Sequence, residues 1–90
     1  MTYHVRWTQS AMDQLSIIWL SVEPESRSEI TKASGETDRQ LRAAPYDQSE
    51  SRDGGRRITF VAPLAVEFRV DDEDMFVSVL HIWRFRRRSD

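Results

Sequence analysis

The stretch from Gly54 to Arg88, GGRRITFVAPLAVEFRVDDEDMFVSVLHIWRFRRR, constrains the fold more than any other part of the chain. It holds three runs rich in β-branched and aromatic residues, separated by Ala62-Pro63 and by Asp71-Asp72-Glu73-Asp74, and it exits in arginines. Such runs, bounded by proline and acidic clusters, read as short strands joined by turns. A meander of this kind is stable only when one of its faces is covered. The N-terminal half is therefore expected to pack against it.

The residue order suggests a register. With Asp71–Asp74 as the turn, Val70 faces Met75, Phe68 faces Val77, Val66 faces Val79 and Leu64 faces His81, an apolar face that should meet helices. The other face then pairs Arg69 with Phe76, Glu67 with Ser78 and Ala65 with Leu80. In the preceding hairpin a two-residue Ala62-Pro63 loop would turn Ile58 and Phe60 outward. A three-residue loop, Val61 to Pro63, keeps both inward beside Val66 and Leu64 and sets Arg57 opposite Glu67 outside, so it is the expected register. The last strand is apolar on both sides near its end. Either Phe76, Leu80 and Ile82 form an outer patch that marks a partner site, or a bulge near 79–80 switches the parity.

Upstream, Tyr3, Val5 and Trp7 alternate with His4 and Arg6 as in a half-buried strand. Thr8 offers an N-cap, and Ala11, Leu15, Ile18, Trp19 and Val22 recur at helical spacing, which predicts a helix from 9 to 22. After Pro24, Ser26 and Glu29 have capping-box spacing. Ile30, Ala33, Thr37, Leu41 and Ala44 predict a second helix, ended by Pro45. The short link makes the pair an antiparallel hairpin, in which Gly35 costs about 1 kcal/mol relative to alanine. Residues 45–55, PYDQSESRDGG, read as an irregular surface loop. The expectation is one α+β domain over residues 1–90, β-α-α-β-β-β, with a helical hairpin packed on a mainly antiparallel sheet.

Composition narrows the function classes. Ninety residues support one core. With no cysteine there is neither a disulfide framework nor a thiolate metal site. Two histidines are too few for zinc, and the acidic run at 71–74 lacks calcium-loop spacing and its glycine. Gly54-Gly55 precedes a strand and forms no phosphate loop. No metal or cofactor is expected. No apolar run approaches the roughly 18 residues that span a bilayer, and the start has no apolar targeting core, so an intracellular soluble protein is expected. A net charge of −2 argues against a protein that coats nucleic acid. Arg84, Arg86, Arg87 and Arg88 nevertheless make a local basic exit, suited to phosphates or to an acidic partner segment.

Val5-Arg6-Trp7, Ala11 and Leu15, Ile30 and Ala33, Leu41 and Pro45, Gly55-Arg56-Arg57, Phe68-Arg69-Val70 and the run Val77 to Ile82 together resemble the RelE/ParE superfamily of type II toxin–antitoxin toxins. The resemblance spans nearly the whole chain. It implies a bacterial cytoplasmic toxin that inhibits growth and an antitoxin partner that wraps it. ParE-like members inhibit DNA gyrase, whereas RelE-like members cleave messenger RNA on the ribosome. Two departures stand out. RelE-like enzymes usually carry an arginine in a Tyr-Arg-Leu-x-Tyr-like run, where this chain reads Pro63-Leu64-Ala65-Val66-Glu67-Phe68, and no tyrosine follows the basic exit.

Side-chain RNA cleavage needs a base, an acid and cations for the developing phosphorane charge. Glu67 and His81 are the proton-transfer candidates, with Arg57, Arg69, Arg84 and Arg86 for charge. In the expected register His81 lies inward beside Leu64, where a structural role outranks a catalytic one. Glu67 facing Arg57 reads first as a cross-strand ion pair. Trp83 reads as a core anchor at the sheet end. Arg56, Arg84, Arg86, Arg87, Arg88, Phe76, Leu80 and Ile82 are the candidates for target or antitoxin binding. Target inhibition of the ParE kind is the first reading, ribosome-dependent mRNA cleavage the second, and a non-toxic binding module of the same fold the third.

Overall fold

The computed structural model describes residues 2–85. Strand β1 (His4–Trp7) leads into helix α1 (Gln9–Ser21), a 3-10 turn (Pro24–Ser26) and helix α2 (Arg27–Ala43). Strand β2 (Ser49–Ser51), a second 3-10 turn (Asp53–Gly55) and strands β3 (Arg56–Val61), β4 (Leu64–Asp71) and β5 (Phe76–Arg84) follow. The sheet order is β1-β5-β4-β3-β2, antiparallel throughout except for the parallel β1–β5 pair. The expected α+β architecture, a helical hairpin on a mainly antiparallel sheet, is the one observed.

Local chemistry explains where α1 begins. Thr8 has extended backbone angles, φ −64° and ψ 159°, and its Oγ1 accepts from the Ala11 amide at 3.2 Å. The same hydroxyl donates to the Val79 carbonyl at 2.8 Å, so the cap also ties α1 to β5. Helix α1 buries Ala11 and Ile18, Val22 just beyond its end is buried with them, and α2 buries Ile30, Ala33, Thr37 and Leu41. They pack on Val5, Leu64, Val66, Phe68, Val77, Val79 and Ile82. Each fully buried Leu, Val, Ile or Phe contributes about 1.5–3 kcal/mol. Trp19, expected in the α1 stripe, is 38% exposed and lies beneath the Arg27 guanidinium, 4.4 Å from its ring centroid.

Several expectations need correction. The 45–55 segment is not wholly irregular, because Ser49–Ser51 pairs with β3 as an edge strand. Ser26 does not close a capping box: its angles, φ −91° and ψ −7°, are already helical, and its side chain caps nothing. The β3–β4 hairpin turns on Ala62 and Pro63 alone, with a cis peptide between them, so Val61 pairs with Leu64 and Phe60 with Ala65. That parity sends Ile58 and Phe60 to the face away from the helices and brings Arg57 and Thr59 to the helix side. Buried Thr59 finds its partner there, accepting from Gln40 Nε2 at 2.9 Å.

Between β4 and β5 the turn comprises residues 72–75, and Asp74 N–H donates to Asp71 Oδ1 at 3.1 Å. Val70 therefore pairs with Val77 and Phe68 with Val79, instead of Met75 and Val77. This slip leaves the inner face apolar. Beyond Phe68 a bulge accommodates Leu80, after which Glu67 pairs with His81, Val66 with Ile82 and Ala65 with Trp83. The bulge keeps Ile82 in the core at 3% exposure. His81 and Trp83, expected inside, stand on the open face instead. Thr8 N–H bonds the Val79 carbonyl at 3.1 Å on this flank, where β1 gives way to α1.

Candidate functional site on the open face of the sheet

The sheet face away from the helices carries side chains in rows set by strand pairing. Phe60, Ala65 and Trp83 make one row; Ile58, Glu67 and His81 make the next; Arg56, Arg69, Ser78 and Arg6 make a third. His4 and Phe76 close the series, their rings 5.1 Å apart. The candidate pair Glu67 and His81 thus lies between an aromatic row and a basic one.

Glu67 is the centre of this arrangement. Its Oε1 is 3.8 Å from His81 Nε2 and 3.9 Å from Arg56 Nη1, and its side chain is only 15% exposed. Neither contact is a tight hydrogen bond, so the carboxylate retains acceptor capacity toward a ligand. Arg69, opposite Arg56, donates from Nη2 to the Gly54 carbonyl at 3.0 Å. Gly54 and Gly55 both have φ 74°, a conformation glycine adopts freely, and this folds the segment before β3 over toward Arg69. On the far side of the cluster, Phe60 and Phe85 meet edge to face with centroids 5.4 Å apart. Phe60 is 51% and Trp83 40% exposed, so both offer ring surface to a stacking partner.

The other sequence candidates scatter. Arg57 belongs to the helix side, where it donates to Ser49 Oγ at 2.8 Å and to the Ser49 carbonyl at 3.0 Å and covers the Tyr46 ring. Its expected pairing with Glu67 fails because the hairpin loop is one residue shorter than expected. Arg84 pairs with Leu64 and has helix-side parity, away from Glu67. Ile82 is a core residue and Leu80 the half-buried bulge residue, so of the two alternatives for the last strand the bulge is the one observed, and the outer patch with Phe76 does not form. Arg86, Arg87 and Arg88 lie outside the described residues.

Two features were not anticipated. Gln14 reaches from α1 to the cluster: its Oε1 accepts from the Ile82 amide at 2.7 Å and its Nε2 lies 3.3 Å from His81 Nδ1. A single glutamine on a polar helix face carries no signal of this in the sequence. The second is a groove of about 390 Å³ between the helices, lined by Leu15, Trp19, Leu20, Ile30, Thr31 and Ser34. Outside the groove α1 also exposes Met12 and Ile17, at 51% and 66%. A helix that is apolar beyond its core stripe is the signal that points to such a surface.

No protein-family model and no curated protein matches the sequence. Solved structures do match. The RelBE2 toxin–antitoxin complex of Mycobacterium tuberculosis superimposes with TM-score 0.74 at 20% identity, over 93% of this chain and 92% of that one. The chromosomal ParDE system of P. aeruginosa gives 0.72 at 21% identity, over 93% and 97%. The fold is that of the RelE/ParE toxins. The archaeal RelE–RelB complex of Pyrococcus horikoshii extends the RelE/ParE likeness, with TM-score 0.68 at 16% identity over 98% of this chain and all of that one. Among the described residues no helix of this RelE/ParE-fold chain is long and apolar enough to cross a membrane.

Proposed function

We propose that this chain is the toxin of a type II toxin–antitoxin pair and that it cleaves RNA with side chains of the open sheet face. The observation that carries the reading is Glu67 held between His81 and Arg56, at 3.8 and 3.9 Å, on an uncovered surface. Glu67 takes the proton of a 2′-hydroxyl, and the 2′-oxygen attacks the adjacent phosphorus. Arg56 and Arg69 meet the charge that builds on the phosphoryl oxygens, while His81 Nε2 donates a hydrogen bond to the departing 5′-oxygen. That oxygen takes its proton from water, leaving a cyclic phosphate and a 5′-hydroxyl. Phe60 and Trp83 supply stacking surface for flanking bases, worth about 1–3 kcal/mol per base.

The test is cleavage of messenger RNA by the purified chain on programmed ribosomes, read by primer extension. Cuts with cyclic-phosphate ends are expected, and Glu67→Gln should slow them about 10²–10⁴-fold. Cleavage by the variant at the wild-type rate would sink the assignment.

A second reading is binding inhibition of DNA gyrase. Its support is the TM-score of 0.72 to the ParDE system, level with the RelBE2 value of 0.74. Loss of gyrase supercoiling in the presence of the chain, with RNA left intact, would favour it. Under either reading an antitoxin is the partner. The groove between α1 and α2 suits the apolar face of an amphipathic antitoxin helix, which would seat side chains between Leu15, Leu20 and Ile30.

A further inference from the structure

We infer that Gln14 is a positioning residue that fixes His81 as the tautomer with its proton on Nε2, aimed at Glu67. The first step is the amide orientation of Gln14. The Ile82 N–H can only donate, so the group 2.7 Å from it must be the Gln14 oxygen. The Gln14 nitrogen is thereby turned toward His81 Nδ1, at 3.3 Å. An amide nitrogen can only donate, so Nδ1 must accept and carries no proton. In a neutral imidazole the proton then resides on Nε2, the nitrogen that faces Glu67 Oε1 at 3.8 Å. One backbone amide thus sets the glutamine, the glutamine sets the imidazole, and the imidazole presents N–H to the centre of the candidate site.

The arrangement follows from the bulge. With Leu80 accommodated as the extra residue, the Ile82 amide points to the flank beyond the end of β1, where α1 replaces a strand. Gln14 is the side chain there that satisfies it. The catalytic consequence rests on the RNA-cleavage reading, whereas the tautomer does not.

The experiment is long-range nitrogen–proton NMR on the full chain with labelled histidines, recorded on the neutral imidazole, with His4 as internal reference. The wild type should show His81 protonated on Nε2 alone. Gln14→Glu keeps an acceptor for the Ile82 amide and places a second acceptor beside Nδ1, so the dominant His81 tautomer should reverse while His4 stays unchanged. Gln14→Met removes both bonds, and the His81 tautomer ratio should move to that of His4. An unchanged His81 tautomer in Gln14→Glu overturns the inference. In the cleavage assay Gln14→Glu should lose kcat with KM retained. A tautomer that reverses in a protein that never cuts RNA keeps Gln14 in this role and removes the nuclease reading instead.

Discussion

At the scale of single residues, carboxylates with fixed donors do much of the organising. Asp72, in the β4–β5 turn, accepts from Tyr3 at 2.7 Å through one oxygen and from Tyr46 at 2.5 Å through the other. The hydrogen bond to Asp72 pushes the Tyr46 phenol up to about 12, burial adding to it, and Tyr3 rises for the same reasons. The bonds from Tyr46 and then Tyr3 hold Asp72 below the usual carboxylate range. The signs follow by linkage. The Tyr46 share of stability is complete below about pH 10 and is lost as pH rises through about 12, and the Tyr3 share is lost in the same direction, as pH rises through its own raised value. The Asp72 share is present above about pH 4 and is lost as pH falls through its lowered folded value. Asp38 behaves like Asp72: burial raises it, but bonds from Arg42 at 2.7 Å and Trp7 Nε1 at 3.1 Å outweigh that and lower it. Phenolate absorbance during alkaline titration should show both tyrosines above the ordinary value, and Asp72→Ala should return both toward about 10. A variant that titrates like the wild type would remove Asp72 from this role.

At the scale of elements, the junction of β1, α1 and β5 holds the two layers together. Thr8 closes the first turn of α1 and bonds the Val79 carbonyl with both its hydroxyl and its amide. Thr8→Ala should cost about 1–2 kcal/mol in urea unfolding with an unchanged denaturant slope. Most elements were legible in the sequence because periodicity and caps act locally: Thr8, the stripe of Ala11 and Ile18, and the alternation around Phe68 all stand where expected. Registers were not, since they depend on the sum of packing across two faces. Ile58 looked like a core residue, yet it is 8% exposed on the face without helices, shielded within that face itself. Thr59 looked polar and is buried because Gln40 meets its hydroxyl. The site followed the registers. Glu67 and Arg69 were visible as candidates, but His81 could be placed beside Glu67 only once the bulge was known, and Arg57 only once the loop length was.

At the scale of the whole molecule, the two surfaces have opposite character. The open sheet face sets Arg6, Arg56 and Arg69 in the row beside Glu67, while the helical side exposes Met12, Ile17 and Leu20, the last of them lining the groove. On the proposed reading, a cleaving face and a docking face on opposite sides would let an antitoxin grip one and extend to the other. Leu20 is 65% exposed, so Leu20→Asp should change stability by no more than about 0.5 kcal/mol. The same change should weaken antitoxin binding about tenfold or more, measured by calorimetry, since a buried leucine side chain contributes about 1.5–3 kcal/mol. Equal affinity for variant and wild type would place the antitoxin elsewhere.

The extra residue in β5 has a consequence for how this protein can change over time. Up to Val79 the strand keeps phase with the helices; from His81 onward it keeps phase with the open face. Losing one codon at position 80, with every other letter retained, would remove the bulge and leave His81 opposite Glu67 and Ile82 inside, because the pairs on either side of Leu80 keep their partners. A strand of the present length without the bulge would instead turn His81 and Trp83 toward the helices and lift Ile82 into solvent. The bulge therefore lets β5 lose a residue at this point while the surface around Glu67 stays in place.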